Sequence, residues 1–143
     1  MSELEIGQVV SLRIRFNNRG DIAKSKHPYL VVGIDEELGT VEIAQLDSLK
    51  GKEYKSAFKS NKTVFCSDPT ETVIDKDSYI QLDNTIRIED FNGISAYRRQ
   101  PDKLSKDKLQ AALNAYRHYH DTHIIDENKN VYLDQAEIKM LNT

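Results

Sequence analysis

The chain has one cysteine, no tryptophan and three prolines in 143 residues. A single thiol, Cys66, cannot form an internal disulfide, and a chain of this length buries enough apolar surface to fold without one. Neither a secreted disulfide scaffold nor a zinc ribbon is therefore indicated, and a reducing, intracellular setting is the expectation. Long apolar runs are also missing. The longest, Tyr29 to Ile34, falls far short of the roughly 20 residues a membrane-spanning helix needs, and the first eight residues are acidic where a secretory signal is basic and then apolar. The sequence reads as a soluble, cytoplasmic domain with no membrane partner. Positive charge is not in excess either: 20 Lys and Arg stand against 23 Asp and Glu, a net of −3. This excludes a uniformly basic nucleic-acid binder and leaves the placement of the charges to decide the rest.

That placement is uneven. Between Ser11 and Leu30, Arg13, Arg15, Arg19, Lys24 and Lys26 face only Asp21, and between Lys50 and Lys62, Lys50, Lys52, Lys55, Lys59 and Lys62 face only Glu53. Acid collects from Asp68 to Asp90, where Lys76 and Arg87 are the only cations. A polyanion responds to local potential, because salt screens charges beyond about 10 Å. Each basic run is either a solvated loop or one wall of a groove, and two such loops from one small domain can line the same groove.

The first two thirds of the chain read as strands. From Gln8 to Phe16, Val10, Leu12, Ile14 and Phe16 alternate with Ser11, Arg13 and Arg15, so one face enters a core and the other carries two arginines. Asn17 to Asp21 is turn-forming. Pro28 then opens a run, Tyr29 to Ile34, that is apolar on both faces and so predicts a central strand. Thr40 to Leu46 and Thr63 to Cys66 follow as strands. Ser78 to Ile88 alternates with Ile80, Leu82, Ile86 and Ile88 inward, except that Asn84 falls on the apolar side. A buried amide needs hydrogen-bond partners or a cleft, so Asn84 is either a structural tie or a site residue.

The last third changes period. Behind a possible cap at Ser105, Leu109, Ala112, Leu113, Tyr116, His120 and His123 recur at three- and four-residue steps and predict a helix that packs by one apolar stripe. Asn128 to Asn130 ends it, and Val131 to Leu141 is a short strand or helix. The sequence predicts one α+β domain over 1–143: a small, strongly bent antiparallel barrel over about 6–100, a packed helix over about 104–125 and a terminal segment over 126–143.

Two constellations suggest metals. His118, His120 and His123 cluster, with His120 and His123 on one helix face, yet two ligands are too few for zinc and both lie on the stripe expected to pack. Asp126, Asn128, Asn130, Asp134 and Glu137 fit positions 1, 3, 5, 9 and 12 of a calcium loop, but position 6, where the sharp turn needs Gly, is Val131. No metal or cofactor is expected from either.

The strands carry the third constellation. Gly7-Gln8-Val9-Val10, a basic loop, Lys26-His27-Pro28-Tyr29-Leu30-Val31-Val32, Ala44-Gln45-Leu46-Asp47-Ser48 and Tyr79-Ile80-Gln81-Leu82-Asp83-Asn84 precede the helix in that order. Over about Gly7 to Tyr116 this resembles the MazF/PemK toxins. The resemblance implies a metal-independent endoribonuclease on an SH3-like barrel that forms a homodimer and is held by a cognate antitoxin. His27 stands where that family has the catalytic Arg before Pro, and Asp47 with Ser48 beside it where the family has Thr. Asp47-Ser48-Leu49-Lys50 is also similar to a T-S-P-K stretch in the ToxN-like toxins, whose antitoxin is RNA.

Under that resemblance His27, Ser48 and Lys50 are the catalytic candidates. Cleavage of single-stranded RNA by its own 2′-OH needs a base and an acid, and imidazoles serve both near pH 7. Ser48 would bond the scissile phosphate and Lys50 neutralise it. Lys24, Lys26, Asp47 and Asn84 would contact RNA, and Tyr29 or Tyr54 would stack a base. Alternatives remain for each: His27 as a packing residue ahead of a buried strand, and Ser48 to Lys50 as a plain turn. A non-catalytic reading also stands, since the same barrel in CcdB-like toxins poisons a gyrase by contact alone and small barrels serve as adaptors.

Overall fold

A computed structural model describes residues 1–64, 73–74 and 77–143. The first alternating run becomes β1 (Val9–Leu12), with Val10, Leu12 and the following Ile14 fully buried and Phe16 left 38% exposed. β2 (His27–Asp35) and β3 (Thr40–Ser48) are the long central strands. β1 pairs antiparallel with β2, Val10 opposite Tyr29, and β2 with β3, Leu30 opposite Ala44. Because Tyr29 to Val32 in β2 are apolar on both faces, both faces must be covered. Tyr29 and Val31 enter one apolar cluster, while Leu30 and Val32 enter a second across the sheet.

β4 (Asn61–Val64) starts two residues earlier than the sequence suggested, and Phe65 and Cys66 lie outside the described residues. The run from Ser78 to Ile88 is two strands, β5 (Ser78–Gln81) and β6 (Thr85–Glu89). Both run antiparallel along β3, Ile80 opposite Leu46 and Ile86 opposite Ile43. The interruption at Leu82-Asp83-Asn84 accounts for the misplaced amide: Asn84 sits at the break, half-buried, and not inside a continuous apolar face.

The helix of the last third is α1 (Lys106–Thr122), whose Ala112, Leu113 and Tyr116 are buried against Leu30, Leu46 and Ile80. Gly7 permits that packing: it has φ +101°, and a Cβ there would lie 2.7 Å from Leu109 Cδ2. The terminal segment is both a strand and a helix, β7 (Asn130–Leu133) and α2 (Gln135–Leu141). β7 lies parallel to β6, Val131 opposite Ile86, and α2 closes the first cluster with Ile138 and Leu141. Each such side chain contributes roughly 1.5–3 kcal/mol on burial.

The sheet order is β1-β2-β3-β5-β4, with β6 and then β7 branching from β3. The α+β class holds, but the expected barrel does not close among the described residues. Among the described residues β4 pairs only with β5, and beyond β2 the first strand has only the single bridge from Val10 to Arg98. The reason lies in β3, which gives its first half to β6 and its last residues to β5, so the sheet bends and splits there. The edge beyond β6 is then occupied by β7, a strand that follows α1 in the chain, and one pair of the sheet is parallel.

Candidate functional site

The end of β3 is held by a polar network. Asp47 and Tyr79 are cross-strand partners, as are Ser48 and Ser78. One Asp47 oxygen accepts from the Tyr79 hydroxyl at 3.0 Å and from Lys52 Nζ at 3.1 Å, and the other from the Ser48 backbone N–H at 2.9 Å. Burial alone would raise the Asp47 carboxyl, but these donors outweigh it and hold it below the usual carboxylate range. Burial, reinforced by the Asp47 charge, pushes the Tyr79 phenol up to about 12. The chain then turns: Leu49 is buried and donates to Asp77 O at 3.0 Å, while Ser48 Oγ accepts the Lys50 N–H at 3.2 Å. Lys50 is exposed.

His27 opens β2, half-buried and opposite Leu12. The next residue, Pro28, lines a cavity of about 210 Å³ together with Leu46, Asp47, Ser48, Ser78 and Arg99. The topology thus brings Pro28 at the start of β2 to Ser48 at the end of β3, whereas His27 and Lys50 are not among the residues that line this cavity. Arg99 is the residue the sequence reading missed. It lies fifty residues from the motif, on a segment with no local pattern, and is positioned by its backbone N–H donating to Val9 O at 2.8 Å. That segment follows a 3-10 turn (Ile94–Tyr97) whose Gly93 and Ser95 N–H groups both donate to the Glu3 carboxylate, at 3.0 and 3.1 Å.

A second, larger cleft of about 340 Å³ is lined by Phe16 and Arg19 from the first basic loop, Lys55 and Phe58 from the second, Asn84 from the β5–β6 break and Lys129 from the terminal segment. The two basic loops do face one groove. Tyr79 forms a wall of this cleft, with Lys55 Nζ 5.8 Å from its ring centroid, while its hydroxyl reaches Asp47 in the lining of the smaller cavity. Among the described lining residues Asp83 is the only carboxylate, and Lys129 pairs with it at 2.7 Å. The one described acid of this lining is thus already offset.

Several sequence expectations need correction. Arg13 and Arg15 are ties: Arg13 Nε donates to Ala23 O at 2.8 Å, and Arg15 grips Glu137 through two bonds of 2.8 and 3.1 Å. Tyr29 is 1% exposed, a core residue whose phenol burial pushes upward, so it cannot stack a base. Tyr54 is 64% exposed and meets Phe58 edge-on at 5.9 Å. Lys24 and Lys26 are exposed but line neither cavity. Asp47 is engaged by Tyr79, Lys52 and its neighbour, which makes it a brace more than a contact.

The metal motifs resolve into packing. His120 stacks on Tyr116 at 4.1 Å with Nε2 2.8 Å from Leu82 O, and His123 stacks on Tyr119 at 4.0 Å. Asp126 caps the 3-10 turn Glu127–Lys129 and Asp134 caps α2, each accepting a backbone N–H at 2.9 Å. Val131 is buried, and Glu137 is turned to Arg15. Among the described residues no group of three or more His, Cys, Asp or Glu is arranged to hold a metal ion, and no helix is long and apolar enough to cross a membrane.

No protein-family model and no curated protein matches the chain. Its fold is similar to that of a solved endoribonuclease in complex with its cognate antitoxin, from a mycobacterial species, at a TM-score of 0.50 and 13% identity, over 82% of this chain and 95% of that one. At that identity the likeness is one of fold.

Proposed function

We propose that the chain is an endoribonuclease toxin that cuts single-stranded RNA without a metal and is restrained by a cognate antitoxin, protein or RNA. The observation that carries the reading is the meeting of the two basic loops, Arg19 with Lys55, in a cleft that shares the Tyr79–Asp47 wall with the cavity at Ser48 and Pro28. A chain with a net charge of −3 needs such local concentration to hold a polyanion. The fold likeness to an endoribonuclease supports the same reading.

In this mechanism the RNA backbone crosses the smaller cavity. His27, next in sequence to the lining residue Pro28, accepts the 2′ proton as the 2′ oxygen bonds to phosphorus. The bond from phosphorus to the 5′ oxygen breaks, that oxygen takes a proton from water, and the hydroxide so formed takes the proton from His27. The products are a 2′,3′-cyclic phosphate and a 5′ hydroxyl. Ser48 donates to a phosphate oxygen, while Lys50 and Arg99 offset the charge that grows in the transition state. Arg99 supplies the planar, two-pronged donor that His27 in the Arg position lacks. Lys24, Lys26, Tyr54 and Asn84 contact the flanking nucleotides, and the chain works as a homodimer.

The purified chain is expected to cleave single-stranded RNA in EDTA. His27→Ala, Ser48→Ala and Arg99→Ala should each lower kcat/KM by about 100-fold or more while circular dichroism and Tm stay unchanged. Full cleavage by all three variants refutes the site. Growth arrest with intact cellular RNA refutes the nuclease and points to a toxin acting by contact alone.

A further inference from the structure

The larger cleft carries more than charge. Phe16 and Phe58 present partly exposed rings, at 38% and 48%, beside the side chains of Asn84 and Asn128. Phe16 and Phe58 come from different loops, and Asn84 sits where β5 gives way to β6. Asn128 comes from the terminal segment, outside the stretch from Gly7 to Tyr116 that resembles the toxin family. A cleft of about 340 Å³ lies within the size range of small-ligand sites, roughly 300–1,000 Å³.

The terminal segment does not lie loosely against the cleft. The Asn18 backbone N–H donates to Asn128 O at 2.9 Å, and Asn18 Nδ2 donates to Glu127 O at 2.7 Å and to Asn130 O at 2.8 Å. Arg15, just before the loop, holds Glu137 and also donates to Tyr132 O at 2.8 Å. The first basic loop is thereby fixed to the segment that supplies Asn128, and Arg19 is held in the same frame. Neighbouring amides are already committed: Asn17 Nδ2 to Asp21 at 2.7 Å, Asn61 Nδ2 to Lys55 O at 3.0 Å, and the Asn84 amide nitrogen to Asp83 Oδ1 and O at 3.2 and 3.3 Å. The Asn128 amide has no partner among the described residues. An amide presents a donor and an acceptor side by side, as the edge of a nucleobase does, and an aromatic face stacks any base.

We propose that this cleft holds one nucleotide of the RNA beside the scissile bond, its base stacked on Phe58 and read by Asn128, its phosphates held by Arg19 and Lys55. The terminal segment is then a base-preference element. The proposal rests on the ribonuclease reading above and goes beyond it in assigning where sequence preference arises.

The test uses the full-length chain and four labelled 2′-O-methyl RNA homopolymers, which bind but lack the attacking hydroxyl. Fluorescence anisotropy supplies affinities, and sequencing of fragment ends from a random RNA pool supplies cleavage preference. The wild type is expected to favour one base. Phe58→Ala should bind every homopolymer about 10-fold more weakly. Asn128→Ala should flatten the preference, and Asn128→Asp, which exchanges the donor for an acceptor and leaves the backbone carbonyl to Asn18, should shift it. An unchanged Tm in each variant ties the effect to the cleft. Wild-type affinities and cleavage sites in all three, with the wild type cutting RNA, overturn the inference and leave the nuclease intact. A wild-type chain that neither binds nor cuts any RNA overturns both.

Discussion

Replacing Arg15 with alanine removes the clamp between the first basic loop and the terminal segment. Its guanidinium makes bonds of 2.8 and 3.1 Å to the two Glu137 oxygens and one of 2.8 Å to Tyr132 O. The paired side chains are 21% and 27% exposed, between the surface and the interior. A fully exposed pair is worth about 0–1 kcal/mol, whereas stripping a partner from a buried pair costs about 3–5 kcal/mol. The two-pronged geometry and partial burial place Arg15→Ala at a loss of about 2 kcal/mol, or roughly 6–8 °C in Tm for a domain of this size. Urea unfolding of Arg15→Ala, Glu137→Ala and the double variant measures the pair by itself, and a coupling of about 1 kcal/mol is expected. Hydrogen exchange should quicken first over 127–141. A coupling within about 0.3 kcal/mol of zero, with wild-type exchange, would refute the argument that this pair anchors the segment.

Asp47 titrates below its unfolded value near 3.9, so the stability it adds is complete above that pH and disappears as pH falls through the folded value. Asp47→Asn should be about 1 kcal/mol less stable at pH 7 and lose less than the wild type below about pH 4, as read by urea midpoints across pH; parallel acid limbs would contradict the network. Val131→Gly restores the glycine of a calcium loop but empties a buried position beside Ile86 and Ile88. Thermal unfolding should show a loss of about 2–4 kcal/mol and calorimetry no calcium binding below about 10 µM, and a calcium-stabilised variant would show that the loop is a lapsed cation site.

Much of the architecture was legible because burial leaves a period. The doubly apolar run after Pro28 became the central strand with two covered faces, and the stripe through Leu113 and Tyr116 became α1. Where one pattern has two physical solutions, the reading failed. Alternation from Ser78 to Ile88 is the same for one strand as for two strands that keep phase across a three-residue break. Tyr29 and Tyr54 look alike in a sequence, and only packing distinguishes a core ring from an exposed one. Arg13 and Arg15 counted as groove charge until carbonyl and carboxylate partners, in Arg15's case more than one hundred residues away, claimed them.

The sequence by itself determined the class and the pieces, an α+β chain with two basic loops, and named His27, Ser48 and Lys50 as candidates for phosphate chemistry. Tertiary structure decided which of them meet. A long β3 shared by β5 and β6 sets the start of β2 beside Ser48, brings Arg99 to the same cavity, and opens the sheet so that β7 takes an edge. Both outcomes follow from long-range pairing, whose partners are chosen by burial of apolar faces over the whole chain and leave no mark in any local stretch of sequence.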